Sequence, residues 1–191
     1  MISQILYSSE LKAAVEKEIA PLFASGLSST DTIPNRFEKC PTLTAIYHET
    51  LRTTTSSISA REVVSECTIG DLQFQPGTRV IIPSRQTLID SNIFGSDAKI
   101  FDVNHFLRNP SLVTSQSFRP FGGGISYCPG RFLAQKEALS FTALLLNKFN
   151  VSVLDGQSYP VMDTAKPCLG IIDPGQGQDL LLRVKRRNFQ I

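Results

Sequence analysis

The chain has 191 residues, 41% of them hydrophobic and 19% charged, which is the makeup of a globular protein and a length for one domain. Nineteen basic against seventeen acidic side chains leave a formal charge of +2, so the electrostatic footprint of a nucleic-acid binder is absent. No apolar run reaches the roughly 18 residues that a membrane span needs, and the opening MISQILYSSELKAAVEKEIA mixes charges into helical spacing, unlike a signal peptide or an anchor. The four cysteines (Cys40, Cys67, Cys128 and Cys168) form no C-x-x-C pair, which argues against a zinc site or a dense disulfide framework.

In chain order, Leu11, Val15, Ile19 and Leu22 recur at helical spacing after Ser8-Ser9 and predict an amphipathic helix whose last turn is disturbed by Pro21. Gly26 to Asn35, rich in Gly, Ser, Thr and Asp, reads as a loop. Pro41 fits a first helical turn, where its missing N–H has no partner to lose. The stripe Leu43, Ile46, Tyr47 and Leu51 then predicts a second helix from Pro41 to Arg52, ended by the run Thr53 to Ser57 because such side chains compete with the helical backbone.

From Arg61 to Pro83 the pattern changes to short antiparallel strands, with Pro76-Gly77 as a type II turn. Residues 84–127 keep no period and carry Asn, Asp, Pro and Gly throughout. They read as one long irregular stretch, a kind of segment that is usually functional in a compact domain. A long, largely buried helix follows from Pro129 to Phe149. The tail around Val151, Val153, Leu169, Ile171, Ile172, Leu180 and Leu182 reads as short strands, and its basic cluster Arg183, Lys185, Arg186 and Arg187 as a solvated strand end. There is no internal repeat.

The stretch that carries chemistry is Phe118-Arg119-Pro120-Phe121-Gly122-Gly123-Gly124-Ile125-Ser126-Tyr127-Cys128-Pro129-Gly130-Arg131. A cysteine directly before a helix meets unpaired N–H groups and the positive end of the helix dipole, which favour a thiolate over a thiol. Glycines ahead of it let the backbone turn tightly and approach a flat ligand. A thiolate so held is a poor free nucleophile and a good metal ligand.

This segment resembles the heme-binding loop of the cytochrome P450 family, F-x-x-G-x-[R/H]-x-C-x-G, with Phe121, Gly124, Cys128 and Gly130 at its fixed positions. At this composition four fixed matches arise by chance in about one chain per thousand. Pro129, Arg131, Phe132, Ala134 and Glu137 match a fungal-like continuation. The pattern departs at Ser126, where the family commonly has an Arg or His that contacts a heme propionate.

Glu49-Thr50-Leu51-Arg52 resembles the family's E-x-x-R pair, although alone it would equally suit a surface ion pair. Phe101-Asp102-Val103-Asn104-His105-Phe106 aligns with F-x-P-x-R-F, with His105 in place of the arginine that completes that structural network. A histidine can still donate there, with a charge that depends on pH; the plain alternative is a loop histidine with no role. The resemblance implies that Cys128 is the axial ligand of heme iron. It also implies that Arg61, with Arg119, pairs with the propionates that Ser126 cannot charge-match, since a guanidinium fork suits a carboxylate. The alternative for Arg61 is an exposed arginine at a strand end.

The resemblance covers nearly the whole chain and maps onto the C-terminal part of the family. It implies a mainly helical α+β fold with short antiparallel strands, an irregular meander and Cys-ligand loop, and then the long buried helix. On this reading residues 1–191 are a single incomplete heme-binding domain, because the distal-helix pattern [AG]-G-x-[DE]-T does not occur. The implied function is that of a heme-thiolate monooxygenase, or its heme-binding part, that inserts one oxygen atom of O2 into a small organic substrate. NADPH-cytochrome P450 reductase would be its redox partner. The residues after Thr53 and those around Leu169 to Ile171 resemble segments that line the family's substrate pocket.

The alternative within the family is a non-catalytic remnant, whose half heme site would leave an apolar face bare. A hydrolase is disfavoured, because Cys128 stands where the G-x-S-x-G elbow begun at Gly124 needs its last glycine, and only His48 and His105 could serve as base. The triple glycine also lacks G-x-G-x-x-G spacing and a Walker lysine.

Overall fold

A computed structural model describes residues 1–24, 37–164, 168 and 170–187. The loop expected over 26–35 and Leu169 lie outside the described residues. The chain opens with α1 (Ile2–Tyr7) and α2 (Ser9–Phe23). Ser8 separates them in extended backbone, and its hydroxyl accepts from Leu11 N at 3.2 Å, the N-cap that starts α2. Val15, Ile19 and Leu22 are buried as their spacing predicts. Pro21 lies within the helix, which runs on to Phe23.

Helix α3 (Pro41–Thr54) begins without a side-chain cap of its own. Glu18 of α2 serves instead, its two carboxylate oxygens accepting from Thr42 N at 2.9 Å and Leu43 N at 3.2 Å. An anion is thereby placed at the positive end of the helix dipole. The threonine run does not end α3 at Arg52. Thr50, Thr53 and Thr54 turn their hydroxyls onto the carbonyls of Ile46, Glu49 and Thr50, so they bond within the helix rather than compete with it.

Four short strands follow: β1 (Ile58–Glu62), β2 (Cys67–Ile69), β3 (Leu72–Phe74) and β4 (Arg79–Pro83). Strand β1 starts three residues before Arg61 and pairs antiparallel with β4, Arg61 standing opposite Val80, while β2 pairs with β3. Gly77 has φ +87° and Thr78 N donates to Gln75 O at 3.1 Å, which is the type II turn at Pro76-Gly77.

Residues 84–127 are not structureless. They fold into α4 (Ser84–Leu88), α5 (Ser91–Phe94), α6 (Asn104–Arg108) and 3-10 turns at Pro110–Thr114 and Gly124–Ser126. Elements this short have no full amphipathic period to display in sequence.

The long helix α7 runs Arg131–Lys148, two residues later at its start than expected, and passes directly into β5 (Phe149–Val153). It is also less buried than expected. Leu139, Thr142, Ala143 and Leu146 face the core, whereas Phe132, Leu133 and Phe141 are 60%, 60% and 62% exposed. Strand β5 pairs antiparallel with β6 (Leu182–Arg186). Arg183, Lys185 and Arg186 are exposed as expected, but Arg187 just beyond β6 pairs with Glu16 of α2 at 2.5 Å. Helices α2, α3 and α7 pack on one another around Ile19, Leu43, Ile46 and Leu146, which forms the core.

Candidate active site

The site is built outward from α3. Glu49 and Arg52 are fully buried and meet as a fork, Arg52 Nε to Glu49 Oε2 at 2.7 Å and Nη2 to Oε1 at 2.6 Å. The surface ion pair is thus excluded. Arg52 spends its remaining donors on carbonyls of the segment that follows β4: Leu88 O at 2.9 Å, Ile100 O at 2.8 Å, and Ala98 O. Glu49 Oε1 accepts from Asp102 N at 2.8 Å and faces His105 Nδ1 at 3.1 Å.

The three residues read as a network are therefore together, and they tie α3 to the meander. His105 has a second neighbour that the sequence did not show: its Nε2 lies 3.5 Å from Asp97 Oδ1. Gly95, at φ +89°, leaves room for that carboxylate, since a Cβ there would come within 3.0 Å of it.

The meander delivers the chain to the cysteine loop. Phe118 is buried, and Phe121 packs against the core as a partly buried neighbour. Cys128 N donates to Phe121 O at 3.2 Å, which closes residues 121–128 into a loop. Within it Gly122 and Gly124 hold φ +78° and +65°, left-handed backbone that strains any other residue. Gly130 has an ordinary helical φ, and a Cβ on it would lie 3.7 Å from Cys128 Sγ, so local backbone geometry does not demand a glycine there. Cys128 is partly exposed and unpaired. Its carbonyl accepts from Arg131 Nη1 at 2.9 Å, and the Arg131 guanidinium lies 4.1 Å from the ring centroids of both Tyr127 and Phe132. That clamp fixes the loop to the first turn of α7.

Arg61 reaches this loop from β1. Its Nη2 donates to Ser126 Oγ at 2.5 Å and its Nη1 to Ala60 O at 2.8 Å. Arg119 donates to Gln116 Oε1 at 2.7 Å. Arg61, Arg119, Gly122, Gly123, Gly124 and Tyr127 line one open cavity of about 630 Å³. Two guanidiniums, bare glycine backbone and a neighbouring thiol on the same loop fit a flat apolar group that carries carboxylates and binds a soft donor.

The two segments that resemble the family's pocket-lining stretches also meet. Thr55 pairs with Ile171 in an antiparallel bridge, flanked by Ser56 N to Gly170 O at 2.7 Å and Ile172 N to Thr54 O at 2.8 Å. The hydrolase alternative finds no support, because Ser126 Oγ is engaged by an arginine, and His48 is buried among the rings of Tyr47, Phe106 and Phe118. Among the described residues no cluster of His, Cys, Asp and Glu could hold a bare metal ion, and no helix is long and apolar enough to cross a membrane.

A cysteine loop clamped to a long helix, beside strands and a meander pinned by a buried Glu-Arg-His network, is the architecture of a heme-thiolate protein. The model of the cytochrome P450 family matches residues 3–178, and the chain belongs to that family, whose cofactor is heme held by a cysteine thiolate.

A cytochrome P450 monooxygenase of Gibberella zeae is 31% identical over 139 residues, 67% of this chain and 26% of that protein. The cytochrome P450 monooxygenase nodJ of Hypoxylon pulicicidum is 25% identical over 161 residues, 80% of this chain and 31% of that protein. The steroid 17-alpha-hydroxylase/17,20 lyase of Rattus norvegicus is 28% identical over 179 residues, 91% of this chain and 34% of that protein. A zebra fish cytochrome P450 solved with abiraterone has the same fold, with TM-score 0.77 and 24% identity over 98% of this chain and 43% of that one. The chain thus spans about a quarter to a third of the curated relatives it matches.

Proposed function

We propose that this chain is the heme-anchoring part of a heme-thiolate monooxygenase acting on a small organic substrate, with Cys128 as the axial ligand. The observation that carries the reading is the cavity in which Arg61, Arg119 and Gly122 to Gly124 converge beside the Cys128 loop. In this role Arg61 and Arg119 bind the carboxylates of the cofactor, and the glycine run lets its plane approach the backbone. When bound, heme on a thiolate supplies the electron-rich iron that favours O–O cleavage.

The protein's own residues position that chemistry. Phe121 and the Arg131 clamp hold the cysteine loop, and Glu49, Arg52 and His105 hold the meander that leads into it. Thr55 and Ile171 bring two strand segments to the substrate side. NADPH-cytochrome P450 reductase is the electron donor that the family resemblance implies.

The test is spectroscopic. The chain supplied with heme, reduced and exposed to CO is expected to show the red-shifted Soret band of thiolate ligation, and Cys128→Ala is expected to lose it. Heme binding with an imidazole-like spectrum, or an unchanged spectrum in the alanine variant, overturns the assignment.

A second reading draws on Ile125, Phe132, Leu133 and Phe141, apolar side chains that are all more than half exposed. On that reading the chain holds heme without turning over substrate. Substrate-dependent NADPH consumption with added reductase separates the two.

A further inference from the structure

Ser126 stands where the family's loop commonly carries a cationic side chain, and a neutral hydroxyl there looks like a lost contact. The structure gives that hydroxyl a partner. Ser126 Oγ accepts from Arg61 Nη2 at 2.5 Å, across 65 positions of sequence, and both residues are exposed. Arg61 is also tied at the other arm, Nη1 to Ala60 O at 2.8 Å. Its strand is registered against β4, with Val80 opposite Arg61. The Ser126 end is equally fixed, because it closes the 3-10 turn Gly124–Ser126, in which Tyr127 N donates to Gly124 O at 3.1 Å.

From this geometry we propose that Ser126 is a positioning residue for Arg61. The loop serine fixes a guanidinium delivered from β1, so that the arginine presents a preset fork to a carboxylate of the bound group. This inference rests on the heme-binding function proposed above and adds to it the way this chain compensates for an uncharged loop position.

The physical argument is one of pre-organisation. A free arginine carries several rotatable bonds, and fixing them on binding costs affinity; a side chain already fixed in the unbound protein avoids that cost. Serine suits the task because its hydroxyl has two lone pairs and one O–H. As a neutral acceptor it takes a guanidinium N–H without adding a charge of its own. An arginine or histidine at 126 would instead repel Arg61 when protonated. The single charge of Arg61 therefore carries more of the binding here than it would beside a second cation. Arg119, bonded to Gln116 at 2.7 Å, lines the same cavity as a separate arm.

The test is a double-mutant cycle on heme retention, read as the rate of heme transfer to an excess of apo-acceptor protein, with wild type, Ser126→Ala, Arg61→Ala and the double variant. Ser126→Ala is expected to speed heme loss several-fold. Arg61→Ala is expected to speed it about tenfold, the range for losing a charge-assisted contact. The double variant should then be no worse than Arg61→Ala alone, because the serine acts through the arginine. Ser126→Thr, which keeps the hydroxyl, should retain heme like wild type.

A readout on the heme-free chain accompanies the cycle: hindered rotation of the Arg61 guanidinium in NMR spectra, expected in wild type and lost in Ser126→Ala. Multiplicative effects of the two alanine substitutions, or a Ser126→Ala variant that holds heme as well as wild type, overturn the inference. If wild type binds heme with the thiolate spectrum in such a case, only the role of Ser126 falls. If wild type binds no heme at all, the functional reading falls with it.

Discussion

Glu49 and Arg52 sit three residues apart on one helix, a spacing that on a surface is worth a few tenths of a kcal/mol. Here both are fully buried, and the guanidinium is shared between the carboxylate and three backbone carbonyls. Burial changes the size of what removal does. Arg52→Ala leaves a buried carboxylate facing only Asp102 N and His105, at a cost of about 3–5 kcal/mol, a large part of a domain's whole stability. The expected result is little folded, heme-loading protein by circular dichroism and urea titration. Arg52→Lys is expected to recover only part of the loss, since an ammonium cannot reproduce the planar fork. Normal loading in the alanine variant would mean that the network is dispensable.

His48, one residue before Glu49, is the opposite case. Its imidazole lies among aromatic rings, Nδ1 has no partner among the described residues, and burial lowers its pKa from 6.5 to about 4. A histidine held neutral in the fold stabilises it at neutral pH. That contribution shrinks as pH falls below 6.5 and stops changing below about 4, amounting to about 3 kcal/mol across the window. Replacing His48 with Leu is expected to remove this part of the acid sensitivity. The difference in urea stability between wild type and variant should change between pH 6.5 and 4 and be flat above 7. A difference independent of pH throughout would show that His48 is solvated.

At the scale of elements, the parts legible in sequence were those with a repeated signal. Val15, Ile19 and Leu22 each add a turn of evidence for α2, and Pro76-Gly77 names its own turn type. The cysteine loop was legible because its chemistry constrains several residue types within ten positions. What stayed hidden depended on which partner a side chain meets once the chain is folded. Nothing in Thr53 or Thr54 announces that its hydroxyl will bond back into α3 rather than break it. The short helices between Ser84 and Arg108 bury few residues each, and their order comes from Arg52, which gathers carbonyls from Leu88, Ala98 and Ile100. Asp97 beside His105 and Ser126 beside Arg61 escaped for the same reason. Each is an ordinary surface-type residue whose role exists only through its contact, with His105 for Asp97 and with Arg61 for Ser126. The exposure of α7 is a different lesson. Apolar residues all round a helix predict that every face is covered, and these residues cover only one.

At the scale of the molecule, the exposed apolar side chains of α7 have a thermodynamic consequence. Phe132, Leu133 and Phe141 remain about 60% exposed on α7, and Ile125 on the adjoining loop is fully exposed. Large apolar side chains left exposed in this number favour association, because contact with a like surface removes them from water. Burying each of them against a like surface returns about 1.5–3 kcal/mol at full burial, so a contact sharing several is favourable even after the entropy of association is counted. Leu133 and Phe141 are eight residues apart, a little over two helical turns, which sets them about 80° apart around the axis and about 12 Å apart along it. The 191-residue chain on its own is therefore expected to sediment as concentration-dependent assemblies. Leu133→Lys with Phe141→Lys is expected to shift it toward monomer while leaving the helical signal unchanged, because neither side chain contributes to the core around Leu139 and Leu146. A wild-type chain that stays monomeric as its concentration is raised would show that these side chains are masked by contacts other than those described, whereas a double variant that unfolds would place Leu133 or Phe141 inside the core.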